Sequence, residues 1–380
     1  MVSLTTLPRD RVAESPGVKF EGSRDGLPLM ADFCNQVRVP IDGLLGMMDL
    51  MLEIADGELR EHLLTTRLCA RELAEKVNAA LEFSRLNGRK RRPLLTPFDL
   101  CETIEAVVSG QAERAQSRHI ELYCHFPDTL PPIVEGPLGD LRQALSLLLA
   151  ILIAETGDGE VGVSTTHIRG PSGILLSVKL SSTDACLAPE QLDHFRLLLN
   201  NGGRDMAPRS LELLMTSRIL QGIGAEVEVQ AGEPTGLSFE VTAPLAIPGS
   251  MPEPGELEWD QRLKGRSAVV LSANTRVADA IRGLLHQFGL RVDRSAVVDE
   301  VRSPWVVLVD TDSCSDLPDA CHDTSHRISF GRRRADGTPR PDLEKPVRRY
   351  VLYDLLLSLL TPDRDRRSSG SLPACNLIMG

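Results

Sequence analysis

The feature that most constrains this chain of 380 residues is a pair of apolar stripes near its start. From about Gly26 to Ala55, Met30, Phe33, Val37, Ile41, Leu44, Met48 and Met51 recur at intervals of three and four, which brings them to one face of a helix. After a short turn at Asp56 and Gly57, Leu59, Leu63, Ala70, Leu73, Val77 and Leu81 form a second stripe. Two long helices joined so closely make a hairpin. A hairpin cannot cover its own apolar faces, so the stripes are expected to pack either against a second copy in a four-helix bundle or within the chain's own core. Pro40 lies inside the first stripe, where the missing N–H and the ring normally kink or end a helix.

Beyond the hairpin the period changes. Pro97 to Val108 reads as a helix and His119 to Phe126 as a strand, with further strands expected around Ala225 to Val229 and Leu237 to Ala243. Ile247 to Gly255 is rich in Pro and Gly and reads as a linker. Gly265 to Ser295 then gives a strand, a helix and a strand, the opening of a doubly wound parallel sheet. Pro304 to Asp312 is an apolar strand ending at Asp310, and Glu344 to Leu360 is a Lys-Pro pair followed by an amphipathic helix. The domains expected are a tail over 1–25, a hairpin over 26–90, an α/β domain over 91–250, a linker over 251–263, a second α/β domain over 264–362 and a disordered tail over 363–380. The basic run Arg89 to Arg92 reads as a solvated linker. So short a leading segment has no room for a sensory domain, and input is expected from a partner or another chain.

Composition excludes some functions. With 42% hydrophobic and 25% charged residues the chain can bury two or three cores. A net charge of -11 argues against nucleic acid or an anionic membrane as the main partner. No apolar run reaches membrane-spanning length, so no membrane insertion is expected. The eight Cys form no CxxC pair, which fits reduced thiols in a cytoplasmic protein and no structural metal.

Phe33 to Gly46, FCNQVRVPIDGLLG, resembles the dimerisation helix of sensor histidine kinases, in which a phosphate-accepting His precedes an acidic residue, an apolar residue, Arg, a small residue and Pro. Val37, Arg38, Pro40, Ile41 and Gly46 keep the pattern, and Glu82 to Lys90, EFSRLNGRK, resembles the end of that family's second helix. The segment from Pro131 to Thr156 and the segment from Ser217 to Leu245 resemble parts of the family's ATP-binding domain, and residues 264–362 resemble a response-regulator receiver. The resemblance implies a hybrid histidine kinase architecture. It comprises a dimeric four-helix-bundle hairpin, an α/β sandwich of the histidine-kinase ATPase type, and a doubly wound α/β receiver-like domain.

At the positions that carry the family's chemistry, this chain departs from it. Asn35 stands at the phosphoacceptor and Gln36 at its acidic neighbour; an amide has no basic lone pair, whereas a neutral imidazole is a nucleophile near neutral pH. Leu147 and Ile151 stand where the family has Asn, one of which helps hold magnesium, and a hard cation needs oxygen ligands. The adenine-reading box falls on Ser182, Asp184 and Cys186, and the second glycine-rich box near Ser210 and Glu212, where a carboxylate would oppose phosphate. In the receiver-like part Asp310 matches the phosphoacceptor Asp and Lys345 the phosphate-contacting Lys, but Ser272 and Ala273 replace the magnesium-binding acidic pair. Ser329 is the candidate switch hydroxyl, and the stretch between Asp310 and Lys345 is short enough that one or two middle helices are expected to be reduced or missing.

These departures together imply a non-catalytic, kinase-like scaffold with no bound cofactor. It is expected to form a homodimer and to bind a sensor kinase, phosphotransferase or response regulator of a bacterial phosphorelay through Val37, Arg38, Ile41, Leu44, Met48, Leu73 and Val77. The alternatives are a divergent kinase or phosphotransfer enzyme that uses His62 or His194, and a purely structural dimer.

Overall fold

The computed structural model describes residues 26–88, 93–171, 173–185, 187–201, 210–232, 236–249, 259–292, 304–313, 326–332 and 340–360. The tail over 1–25, the tail over 363–380, the basic run at 89–92, Cys186 and residues 251–258 of the expected linker lie outside them, as does the side chain of Ser210. The chain divides into two compact units, Met1–Arg89 and Lys90–Gly380.

The first unit is a helical hairpin of α1 (Gly26–Ile54) and α2 (Gly57–Gly88). Pro40 sits inside α1 without ending it. The turn between the helices requires a left-handed residue, and Gly57 supplies it with φ +58°. The last carbonyls of α1 would be orphaned, and the Arg60 guanidinium satisfies one of them by donating to the Leu52 carbonyl at 2.7 Å. An ion pair between Arg67 and Asp49 at 2.7 Å ties the helices higher up. Ile41 and Leu81 are buried within the protomer already, at 4% and 3% exposure, which removes both from the surface expected to await a partner. Leu44 and Leu73 remain about half exposed, at 52% and 50%.

The second unit is built on two sheets. The first has seven strands: β1 (Thr96–Asp99), β2 (Glu121–His125), β3 (Ile133–Gly136), β4 (Glu160–Arg169), β5 (Gly173–Ser182), β6 (Glu226–Gly232) and β7 (Gly236–Ala246). Their order is β1-β3-β7-β5-β4-β2, with β6 beside β7. All pairs are antiparallel except β2 with β4. The helices α3 (Leu100–Gly110), α4 (Ala112–Gln116), α5 (Leu138–Glu155), α6 (Pro189–Asn201) and α7 (Ser210–Gly222) accompany it. Leu141, Leu145, Leu148, Leu149 and Leu152 of α5 are fully buried, so this helix is the core of an α/β sandwich. The helix expected from Pro97 starts only at Leu100. Asp99 is its N-cap, with Oδ1 accepting from the Glu102 N–H at 2.8 Å, and the residues before it pair as β1 with β3.

The second sheet holds β8 (Ser267–Leu271), β9 (Arg291–Val292), β10 (Val306–Asp310), β11 (His326–Gly331) and β12 (Leu343–Glu344), all parallel, in the order β12-β11-β10-β8-β9. Read from the other edge, the strands run second, first, third, fourth, fifth, the doubly wound order whose ligand crevice opens at the carboxyl ends of β8 and β10. Among the described residues two helices accompany it, α8 (Thr275–Gln287) and α9 (Arg349–Ser358). Its core takes in Leu263 at 0% exposure and Trp259, whose ring meets Phe288 and Tyr353 edge-on at 4.7 Å each. The end of the segment expected to be a linker is therefore packed, because an aromatic of this size gains more from burial than from water.

Candidate functional site

Asn35 and Gln36 are exposed on α1, one turn before an ion pair of Arg38 with Asp42 at 3.5 Å. His62 is exposed on α2, and its carbonyl accepts from the Thr66 hydroxyl at 2.8 Å. His194 is half-buried on α6.

In the first sheet, Leu147 and Ile151 lie one turn apart on α5, both half-buried and neither offering an oxygen. Ser182 closes β5 and is 1% exposed. Its hydroxyl oxygen accepts from the N–H groups of Asp184 and Ala185 at 3.3 and 3.1 Å and lies 2.8 Å from the hydroxyl of the fully buried Thr156. Gly236 packs against the same turn with φ +61°, and a Cβ there would meet the Ser182 carbonyl at 2.2 Å. The hydroxyl is thus committed to closing the loop. Asp184 is exposed and accepts from the Asp158 N–H at 3.4 Å. Glu212, near the start of α7, is half-buried with one carboxylate oxygen that has no hydrogen-bond partner.

The second sheet brings Asp310 and Lys345 together. The Lys345 ammonium, whose side chain is 5% exposed, lies 2.9 Å from the fully buried Asp310 carboxylate and 3.2 Å from Asp312. The Ser272 hydroxyl donates to the other oxygen of Asp310. Burial works to lower the Lys345 pKa, but the hydrogen bond to Asp310 and the charges of Glu121, Asp310 and Asp312 outweigh it and hold the amine above its ordinary range. Ser329 does not face Asp310. Its hydroxyl donates to the Asp342 carboxylate at 2.7 Å.

The residues that sequence reasoning missed lie where the two sheets meet. Glu121 of β2 reaches Lys345 at 3.4 Å and accepts from the Arg332 guanidinium at 2.8 Å. Glu160 of β4 accepts from the Asn274 amide at 2.8 Å and pairs with Arg276 at 3.2 Å. Asp99 takes both the Arg349 guanidinium, at 2.8 and 3.0 Å, and the Tyr350 hydroxyl at 2.6 Å. Glu105, 3% exposed, accepts from the Arg349 N–H at 2.9 Å, while its second oxygen has no partner. Burial pushes this carboxyl up to about 7, against the opposing pull of the Arg349 N–H and charge. The only local signal for any of these was the D-x-x-E cap at Asp99, which starts a helix but does not reveal a contact 250 residues away.

No family model matches the chain. It is 24% identical over 281 residues to the sensor histidine kinase GacS of Pseudomonas protegens, covering 72% of this chain and 30% of the relative. It is 24% identical over 245 residues to the hybrid signal transduction histidine kinase A of Dictyostelium discoideum, covering 61% of this chain and 11% of the relative. Escherichia coli BarA matches at 23% over 241 residues. These relatives of the chain are histidine kinases, the Dictyostelium one a hybrid by name. The crystal structure of full-length ShkA in complex with AMPPNP has a similar fold, with a TM-score of 0.63, 23% identity, and coverage of 89% of this chain and 73% of that one. The chain spans less than a third of the curated relatives it matches here. No described helix is long and apolar enough to cross a membrane.

Glu105 gives a pH prediction. Its folded pKa of about 7 lies above the ordinary 4.5, so the folded state holds the extra proton between those values. The stability this confers is full below the lower value and is lost as pH rises through the upper one. We expect unfolding free energy to fall by roughly 3 kcal/mol from this group across that window, and Glu105→Gln to flatten the fall in denaturant titrations. An unchanged slope in the variant would show Glu105 to titrate normally.

Proposed function

We propose that this chain is a non-catalytic, histidine-kinase-like scaffold that dimerises through its hairpin and modulates a two-component phosphorelay by binding a kinase, phosphotransferase or response regulator. The observation that carries the reading is Asn35, an exposed amide at the place where the family resemblance expects a nucleophilic imidazole. Leu147 and Ile151 support it, because aliphatic side chains cannot ligate the magnesium of a nucleotide. So does Glu212, whose carboxylate would stand against phosphate. Ser182 also supports it, because it stands where the resemblance expects a carboxylate to read an adenine amino group and its hydroxyl is engaged by Thr156 and the turn amides.

Specific nucleotide binding stabilises the folded state by mass action, about 2.7 kcal/mol at a hundredfold excess over Kd. We expect the full chain to show no rise in thermal midpoint with excess ATP and magnesium, and no label from radioactive ATP. A clear rise together with labelling would make it a divergent kinase, with His62 and His194 the residues to map.

The exposed Leu44 and Leu73 are the proposed dimer seam. A buried Leu contributes roughly 1.5 to 3 kcal/mol, and an unpaired charge in its place costs more. Leu44→Glu is therefore expected to shift the full chain from dimer to monomer in sedimentation equilibrium while its helical circular dichroism persists. A dimer of unaltered strength would move the interface elsewhere.

A further inference from the structure

In a doubly wound sheet the crevice outside the carboxyl ends of the strands is where ligands bind. Here that crevice contains Asp310 at the end of β10 and Ser272 and Asn274 just after β8. It faces the β2–β4 edge of the first sheet. Glu121 and Glu160 are register partners on those two strands, so their carboxylates enter the crevice side by side. Glu121 meets Lys345 and Arg332, and Glu160 meets Asn274 and Arg276. Two further features aim the edge. His119, just before β2, adopts φ +60°, uncommon for a residue with a Cβ, and its carbonyl accepts from Arg332 at 3.3 Å. Arg332 in turn donates its N–H to Asp312 at 2.9 Å, so one residue links the acidic end of β10 to the first sheet.

We propose that the receiver-like crevice is closed by an internal ligand, the carboxylate pair of Glu121 and Glu160, which locks the second sheet onto the first and seals Asp310 from any phosphodonor or partner until the pair is withdrawn. Asp310 is 0% exposed in this closed arrangement. The lock is local and ionic: Glu121 meets the buried Lys345 and Glu160 the half-exposed Arg276, and these matched charges set position and selectivity more than strength, while the apolar packing of Tyr123 against the core of the second sheet supplies area but no selectivity for this crevice. The inference is independent of whether the chain binds nucleotide.

Trp259 reports on the lock. It lies 6.4 Å from the Tyr350 ring and 5.8 Å from the Arg349 guanidinium, both on the docked face. The chain has two tryptophans, so Trp305→Phe leaves Trp259 as the single emitter. In that background, the double variant Glu121→Gln, Glu160→Gln is expected to keep its circular dichroism, to raise acrylamide quenching of Trp259 and to increase the radius of gyration in X-ray scattering. Glu160→Arg is expected to do the same, and Arg276→Glu added to it to reverse the change. Folded variants with the quenching and radius of the parent would overturn the proposal, as would a charge swap that restores neither. Should every variant unfold, the parent decides: raising salt screens the half-exposed Glu160–Arg276 pair, so quenching must rise before circular dichroism changes. A flat response over that range would equally overturn it.

Discussion

The arrangement of the larger unit depends on one buried ammonium. Lys345 carries a charge that the interior will not tolerate alone, since an unpaired buried ion costs several kcal/mol. Its side chain is 5% exposed and three carboxylates stand within 3.5 Å: Asp310 and Asp312 from its own sheet and Glu121 from the other. A buried ion pair adds little stability compared with an apolar replacement, but removing one member is strongly destabilising. Such a cluster therefore fixes position more than it adds strength. With Lys345 placed just past the end of β12, Glu121 is shared between the Lys345 ammonium and the Arg332 guanidinium, and this ties the second sheet to the first.

The same logic accounts for the second anchor. Arg349 opens α9 and is 3% exposed, and it is pinned by the bidentate Asp99 while its N–H is taken by Glu105. Asp99 serves twice, as the cap of α3 and as the partner of Arg349 and Tyr350. Cys101, in the first turn of α3, is pushed up to about 12 by burial, so it stays an inert thiol beside this anchor.

Much of the architecture was legible in the sequence. Apolar periodicity in α1 and α2 and the apolar runs of β8 and β10 reflect burial on one face or on both, which a single sequence carries, whereas α5 was read through the family resemblance. The meeting of Asp310 with Lys345 was readable only through the resemblance to a receiver, which matches both positions. Glu121, Glu160 and Arg332 were not readable: an acidic residue at a strand start or a loop Arg is ordinarily solvated, and only tertiary placement gives these three their partners. Ser329 shows the converse. It was expected as a switch hydroxyl, but it lies inside β11 and the nearby Asp342 captured its hydroxyl. The extended segment before α3 was missed because the cap at Asp99 overrides the apolar pattern that continues through Phe98.

The central claim, that a charge cluster shared between the sheets fixes the arrangement of the larger unit, is tested most directly by a double-mutant cycle on Glu121 and Lys345. Unfolding free energies of Glu121→Gln, Lys345→Met and the double variant isolate the coupling between two residues on different sheets. A coupling of about 0.5–3 kcal/mol, as found for residues in one ionic network, is the predicted result. Strict additivity, with the two substitutions acting as if they were far apart, would contradict the account.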